Sequence, residues 1–249
     1  MPYPPSSYYT MSTSWRNYLP RWDHLTQLSR FAVGFGLALL IVDSIFLVIH
    51  LALNFGYLDN RAFHLEIDGG YPEIFQYLKL VTCVTVMLYL AVARTSPQRG
   101  ILALLLLFLL FEDAMGLHEN AYLVGERYLH LQPVGPFSVR HLWEILYGVF
   151  TGGLLLTIFV FSISRTDDRP LRDRMVLILL LLVLFGAFGV LVDALHGIFQ
   201  EARSSVYVES IFGVIEDWGE MLTISAMTAV MIDDAYRTAS TKVLSGGPR

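Results

Sequence analysis

Cysteine occurs once in this chain of 249 residues, as Cys83. An internal disulfide and a multi-thiolate metal site are therefore both excluded. Charge is scarce too: 16% of residues are charged against 55% hydrophobic, and the mean hydropathy is +0.54. No basic patch interleaved with aromatics is present, which argues against nucleic acid as a partner. The alternating segments of about ten residues that mark a membrane β-barrel are missing as well. The N-terminal stretch MPYPPSSYYTMSTSWRNYLP lacks an apolar core. It is expected to be a disordered cytoplasmic tail over 1–30, not a cleavable signal peptide. A second flexible tail is expected over 237–249.

Apolar runs of spanning length are abundant. Six are read, at 31–53, 74–93, 101–122, 141–162, 175–199 and 207–232. The expected fold is all-α: a polytopic integral membrane protein with a six-transmembrane-helix bundle over 31–236. With both termini inside, the inner side holds twelve Lys and Arg residues and the outer side only Arg61, Arg127, Arg140 and Arg203. That bias predicts cytoplasmic termini and a bacterial-type inner membrane. The first outer connection, NFGYLDNRAFHLEIDGGYP, has the apolar–polar mix of a segment able to fold over the outer mouth. Gly34 and Gly36, Gly152 and Gly153, Gly186 and Gly189, and Gly213 and Gly219 are expected to let helices approach closely.

The runs are not purely apolar. At 111–120 the sequence reads FEDAMGLHEN, placing Glu112, Asp113, His118 and Glu119 in continuation of ILALLLLFLL. Asp43 and His50 lie in the first run, His141 and Glu144 in the fourth, Asp193 and His196 in the fifth, and Glu209, Glu216, Asp217 and Glu220 in the sixth. Lys79 is the one lysine inside a run. A carboxylate at a helix centre costs on the order of 3 kcal/mol even on lenient insertion scales. So many acids with one lysine must be protonated, solvated or neutralised by bound cations. Counting about 1.5 Å per residue along straight helices brings most of them to the outer half of the bundle.

Helical angles refine the reading. Glu112 and Glu119 fall within about 20° of each other on one helix, as do the i,i+3 pairs His141/Glu144 and Asp193/His196 within a broader face. Glu216 and Glu220 share a stripe about 40° wide. Asp113 and Asp217 point away from these faces and, with Asp43 and His50, are expected to support the site. As a ligand set this is analogous to bundle-type di-iron and di-manganese carboxylate sites, in which two helices each give a Glu and two give Glu-x-x-His. It is an analogy of chemistry, not of family. Imidazole with carboxylate suits Fe, Mn or Zn more than Ca or Mg.

The expected metal ligands are Glu112, His118, Glu119, His141, Glu144, Asp193, His196, Glu216 and Glu220. Two irons would support an oxidoreductase of hydroxylase, desaturase or oxidase type; one zinc would support a hydrolase, with Glu119 or Glu216 as general base. The expected partner is a lipid or other hydrophobic small molecule entering from the bilayer. The HxxxH and HxxHH boxes of membrane desaturases and the HExxH box of zinc proteases are absent. The competing reading is a proton- or cation-coupled transporter or channel using the same carboxylates. Two features count against it: the inner third of each helix reads as apolar, and no run carries a convincing Gly/Pro break.

Overall fold

The computed structural model describes residues 28–117, 120, 122, 123, 127, 128, 139–201 and 206–244, and the side chains of all of these except 200, 201, 206–209 and 241–244. His118 and Glu119 lie outside the described residues. Helices α1 (Arg30–Asn54), α2 (Tyr71–Ala93), α3 (Pro97–Ala114), α4 (Val139–Ser164), α5 (Arg169–Gly186), α6 (Asp193–Glu201) and α7 (Val206–Leu244) carry the fold. A π-helical segment, Ala187–Val192, joins α5 to α6, and a 3-10 turn, Arg61–Phe63, lies in the first connection. Among the described residues there is no strand.

Among the described residues, four helices are long and apolar enough to cross a membrane: Arg30–Asn54, Tyr71–Ala93, Val139–Ser164 and the composite Arg169–Phe199. The expected third and sixth runs are helical too, but both carry several charges along their length and do not join these four. Large apolar side chains such as Ile41, Val48, Phe150 and Leu191 point outward. That inversion of the usual surface is what a lipid solvent requires, since lipid tails are as apolar as leucine.

Helix boundaries follow local chemistry. Ser29 caps α1 by accepting from the Ala32 amide at 3.2 Å, and Asp168 caps α5 by accepting from Leu171 at 3.4 Å. Pro72, Pro97 and Pro170 sit in first turns, where the missing N–H costs nothing. Between α2 and α3 the chain reverses through Thr95, whose φ is 48°, before Pro97 restarts the helix.

The third run departs from expectation. α3 stops at Ala114, and Gly116 adopts φ 54° while its amide bonds to the Asp113 carbonyl at 3.0 Å. A glycine in the left-handed region closes the helix and satisfies a terminal carbonyl. α3 thus ends two residues after Glu112.

α7 is the central element, lying against α1, α2, α5, the π segment and α6. It runs on to Leu244, well past the end of the sixth apolar run. The closely packed apolar core occupies the half of the bundle near the α2–α3 and α4–α5 turns. It is made by Leu80, Met87 and Leu90 of α2, Leu102 and Leu106 of α3, Phe159 of α4, Met175 of α5 and Met227 and Met231 of α7. That half ends in arginines. The opposite half holds Glu144, Asp193, Glu216, Asp217 and Glu220.

Candidate functional site

The acidic end is built from five helices, α2, α3, α4, α6 and α7, and the first connection. His196, one turn into α6, places Nδ1 3.3 Å from Oε2 of Glu216 on α7. Asp193, Asp217, Glu66 and Glu144 all lie within electrostatic range of Glu216. Glu144 is held by Arg140 one turn earlier on α4, with Nε 2.7 Å from its Oε1. Four of the residues expected at the site, Glu144, Asp193, His196 and Glu216, are thus brought together.

Glu220 lies one turn further along α7, where Gln76 of α2 donates to its Oε2 at 3.4 Å. Its electrostatic neighbours are Asp113, Asp217 and Glu216. Asp113 and Asp217, expected to point away from the ligand faces, lie within electrostatic range of one another. Oδ2 of Asp217 is buried and makes no hydrogen bond among the described residues. Glu112 stands at the edge of the cluster, near Tyr147.

Glycines seat these side chains. A β-carbon added to Gly197 would lie 2.7 Å from Nε2 of His141, and one added to Gly213 would lie 2.7 Å from Oε1 of Glu66. At Gly189 an added β-carbon would collide with Oε1 of Glu220. Gly152, Gly153 and Gly186, by contrast, have nothing within 4 Å of that position. The expectation that small residues serve helix–helix approach thus gives way at Gly189 and Gly213 to a different use, which Gly197, outside that expectation, shares: they make room for ionisable groups. Replacing Gly197 by Ala should cost about 1–3 kcal/mol by overpacking. The double variant Gly197→Ala/His141→Ala should recover most of that loss when unfolding is followed in detergent. A Gly197→Ala protein as stable as wild type would mean the ring does not rest in this groove.

The first connection does fold over this end. The Leu65 amide donates to Nδ1 of His50 at 3.1 Å, and His64 meets the His50 ring edge-on at 5.2 Å. Asn54 bonds the other ring nitrogen at 2.9 Å. His50 is thereby a fully hydrogen-bonded anchor for the loop. The loop in turn delivers Glu66 and Asp68, while Glu73 at the start of α2 bonds the Gly69 amide and the Tyr77 hydroxyl. Asp68 and Glu73 extend the cluster around Asp217. Counting acids only within apolar runs missed Glu66, Asp68 and Glu73; the signal available was three acids on either side of Gly69–Gly70, next to a spanning helix.

Asp43 belongs to a different site. It is fully buried about halfway along α1, where Lys79 Nζ donates to its Oδ1 at 2.9 Å and Ser225 donates to its Oδ2 at 2.5 Å. The same ammonium also donates to the Met221 carbonyl at 2.9 Å and to Ser225 Oγ at 3.0 Å. All three of its protons are used. One turn further toward the arginine-rich end, Cys83 and Thr228 are in contact at 3.2 Å.

Among the described residues, no group of three or more His, Cys, Asp or Glu converges tightly enough to hold a metal ion. The arrangement does concentrate carboxylates beyond their basic partners in a low-dielectric setting. Such groups must carry protons or share a cation, because isolated buried charge is too costly. No curated protein and no solved structure matches the chain. A family model does match, over residues 32–233, and so takes in both the acidic end and the Lys79 site: the chain belongs to the family described as Domain of unknown function (DUF8692).

Proposed function

We propose that this is a proton- or cation-coupled membrane transporter or channel, with the acidic end as its cation-loading chamber on the outer side. Both termini then lie in the cytoplasm, as the arginine bias favours. The observation that carries this reading is a polar seam between α2 and α7. It leads from Glu220 and Gln76 to Lys79, Asp43 and Ser225, and then to Cys83 and Thr228. From Thr228 to Asp233 is about 7.5 Å along the helix. The trail of polar groups therefore extends past the midpoint, where the sequence alone had it stop. The buried Met87, Leu90, Met227 and Met231 form the apolar stretch that separates its inner end from the arginines.

The test uses the full chain reconstituted in vesicles loaded with a pH-sensitive dye. An imposed gradient should drive proton uptake, or exchange of manganese against protons. Glu220→Gln should slow it by about tenfold or more. Wild-type vesicles as tight as empty ones toward protons, manganese and zinc would sink the reading.

A second reading is favoured by one contact, His196 to Glu216, flanked by Asp193 and by His141 in the Gly197 groove. In it the acidic end is a metal centre, iron or zinc, acting on a lipid or other hydrophobic substrate, with residues 118 and 119 completing the ligand set. Elemental analysis of untagged protein decides it. About one zinc or two irons per chain, lost in His196→Ala, would support it. Metal below a tenth of that level after reconstitution would remove it.

A further inference from the structure

The arginine-rich end contains a cavity of about 660 Å³ between the α2–α3 turn, the α4–α5 turn and the end of α7. Five guanidinium groups line it: Arg94, Arg99, Arg165, Arg174 and Arg237. The carboxylates there are fewer. Asp233 is shared by Arg174 at 2.7 Å and Arg237 at 2.8 Å, and Asp234 receives Arg99 through two bonds of 2.8 and 3.1 Å. Two carboxylates thus serve three guanidinium groups, and Asp167 and Asp168 line the cavity together with Arg94 and Arg165. Asp168 also caps α5.

Arg174 is the informative member. Its Nη2 is committed to Asp233, while its Nη1 is buried, makes no hydrogen bond among the described residues and stays 4.0 Å from Asp234 Oδ1. That nitrogen has a carboxylate only at ion-pair distance and would gain from a closer anionic oxygen. Two helix starts border the space. Ser96 precedes α3 with no side-chain capping bond, and Asp168 precedes α5; both lie on the cavity wall. The α5 start is already met by the Asp168 carboxylate, so it is the uncapped start of α3 whose N–H groups and positive dipole end favour an anion.

The rim reaches the lipid-facing surface. Arg165 stacks over Phe161 with its guanidinium carbon 4.8 Å from the ring centroid, and Phe161 is exposed on α4. The cavity is larger than a bare tetrahedral anion needs and suits one carrying a substituent. Basic pockets between membrane helices on this side of a bilayer have the chemistry to hold phosphate headgroups. We infer that this cavity is a binding site for a phosphate-bearing anion, held by Arg165, Arg174 and Arg94 with the start of α3.

The experiment uses delipidated full-length protein in a neutral detergent. Inorganic phosphate and dioctanoyl phosphatidylglycerol are titrated separately, with dioctanoylglycerol and with chloride at matched ionic strength as controls. At about a hundredfold excess over Kd the unfolding midpoint should rise by roughly 5–10 °C. Arg174→Gln and Arg165→Gln should each weaken apparent binding about five- to tenfold. Arg165→Gln leaves the Asp233 and Asp234 pairs intact and so guards against a folding defect.

A response to inorganic phosphate supports a site open to free anions. A response to phosphatidylglycerol alone supports a headgroup site. No response to either, an equal response to the controls, or a folded Arg165→Gln protein that titrates like wild type would overturn the inference.

Discussion

Replacing Lys79 by Met should destabilise the folded protein by about 3–5 kcal/mol, because it leaves the Asp43 carboxylate buried without its counter-charge. The side chains are 2% and 0% exposed, so no solvent can take over the role of the ammonium. Ser225 would remain as a donor, but a neutral hydroxyl does not offset a buried negative charge. The companion variant Lys79→Met/Asp43→Leu removes both charges and should recover most of the loss, since buried ion pairs are replaceable by apolar groups of similar volume. Equilibrium unfolding in mixed micelles reads both. A Lys79→Met protein as stable as wild type would show that the pair does not form. If the seam also carries protons, the double variant should fold and yet fail in the vesicle assay, which separates the structural role of the pair from its functional one.

The second large effect is expected at Asp233, one residue beyond the sixth apolar run. Its side chain is fully buried and accepts from the Ser29 amide at 2.8 Å as well as from Arg174 and Arg237. It therefore ties the first residues of α1 to α5 and α7 at once. Asp233→Ala should cost about 3–5 kcal/mol by stranding a buried amide and two guanidinium groups. Burial by itself would raise this carboxyl, but the bonds from Ser29 and Arg174 outweigh it and hold it below the ordinary aspartate value of 3.8. A lowered folded value means that the contribution is complete above the ordinary value and is lost as pH falls through the folded one. Wild-type stability should thus fall at pH below about 4, and Asp233→Asn should show a shallower fall over that interval. Identical acid slopes in the two proteins would remove Asp233 from this role.

Both predictions concern contacts that the sequence does not display. Lys79 and Asp43 are 36 residues apart, and Ser225 and Asp43 are 182 apart. In the sequence Lys79 was one cation among many acids; in the fold it is assigned to one of them, and the others are left to the acidic end. The arginines were read as a topology signal, and their convergence on a cavity depends on three chain segments meeting. Glu66 was invisible as a site residue because its place comes from a loop anchored on His50, not from a periodic helix face.

What the amino-acid sequence determined by itself was the class of the molecule and the surplus of its acids. In hydrocarbon a backbone must satisfy its own hydrogen bonds, so long apolar runs without alternation mean helices. Likewise, acids placed at helical spacing in such runs mean a polar interior whatever the packing. The His196–Glu216 contact was legible to that extent, as two residues on facing stripes. What only the tertiary structure decided was which charges meet. The turn at Gly116 ends α3 early, and the π segment Ala187–Val192 shifts the angle at which Asp193 and His196 leave α5. Angles counted at 100° per residue hold within one regular helix. They do not survive a left-handed glycine or an inserted residue, and these are the points at which this chain departs from regularity beside its acidic end.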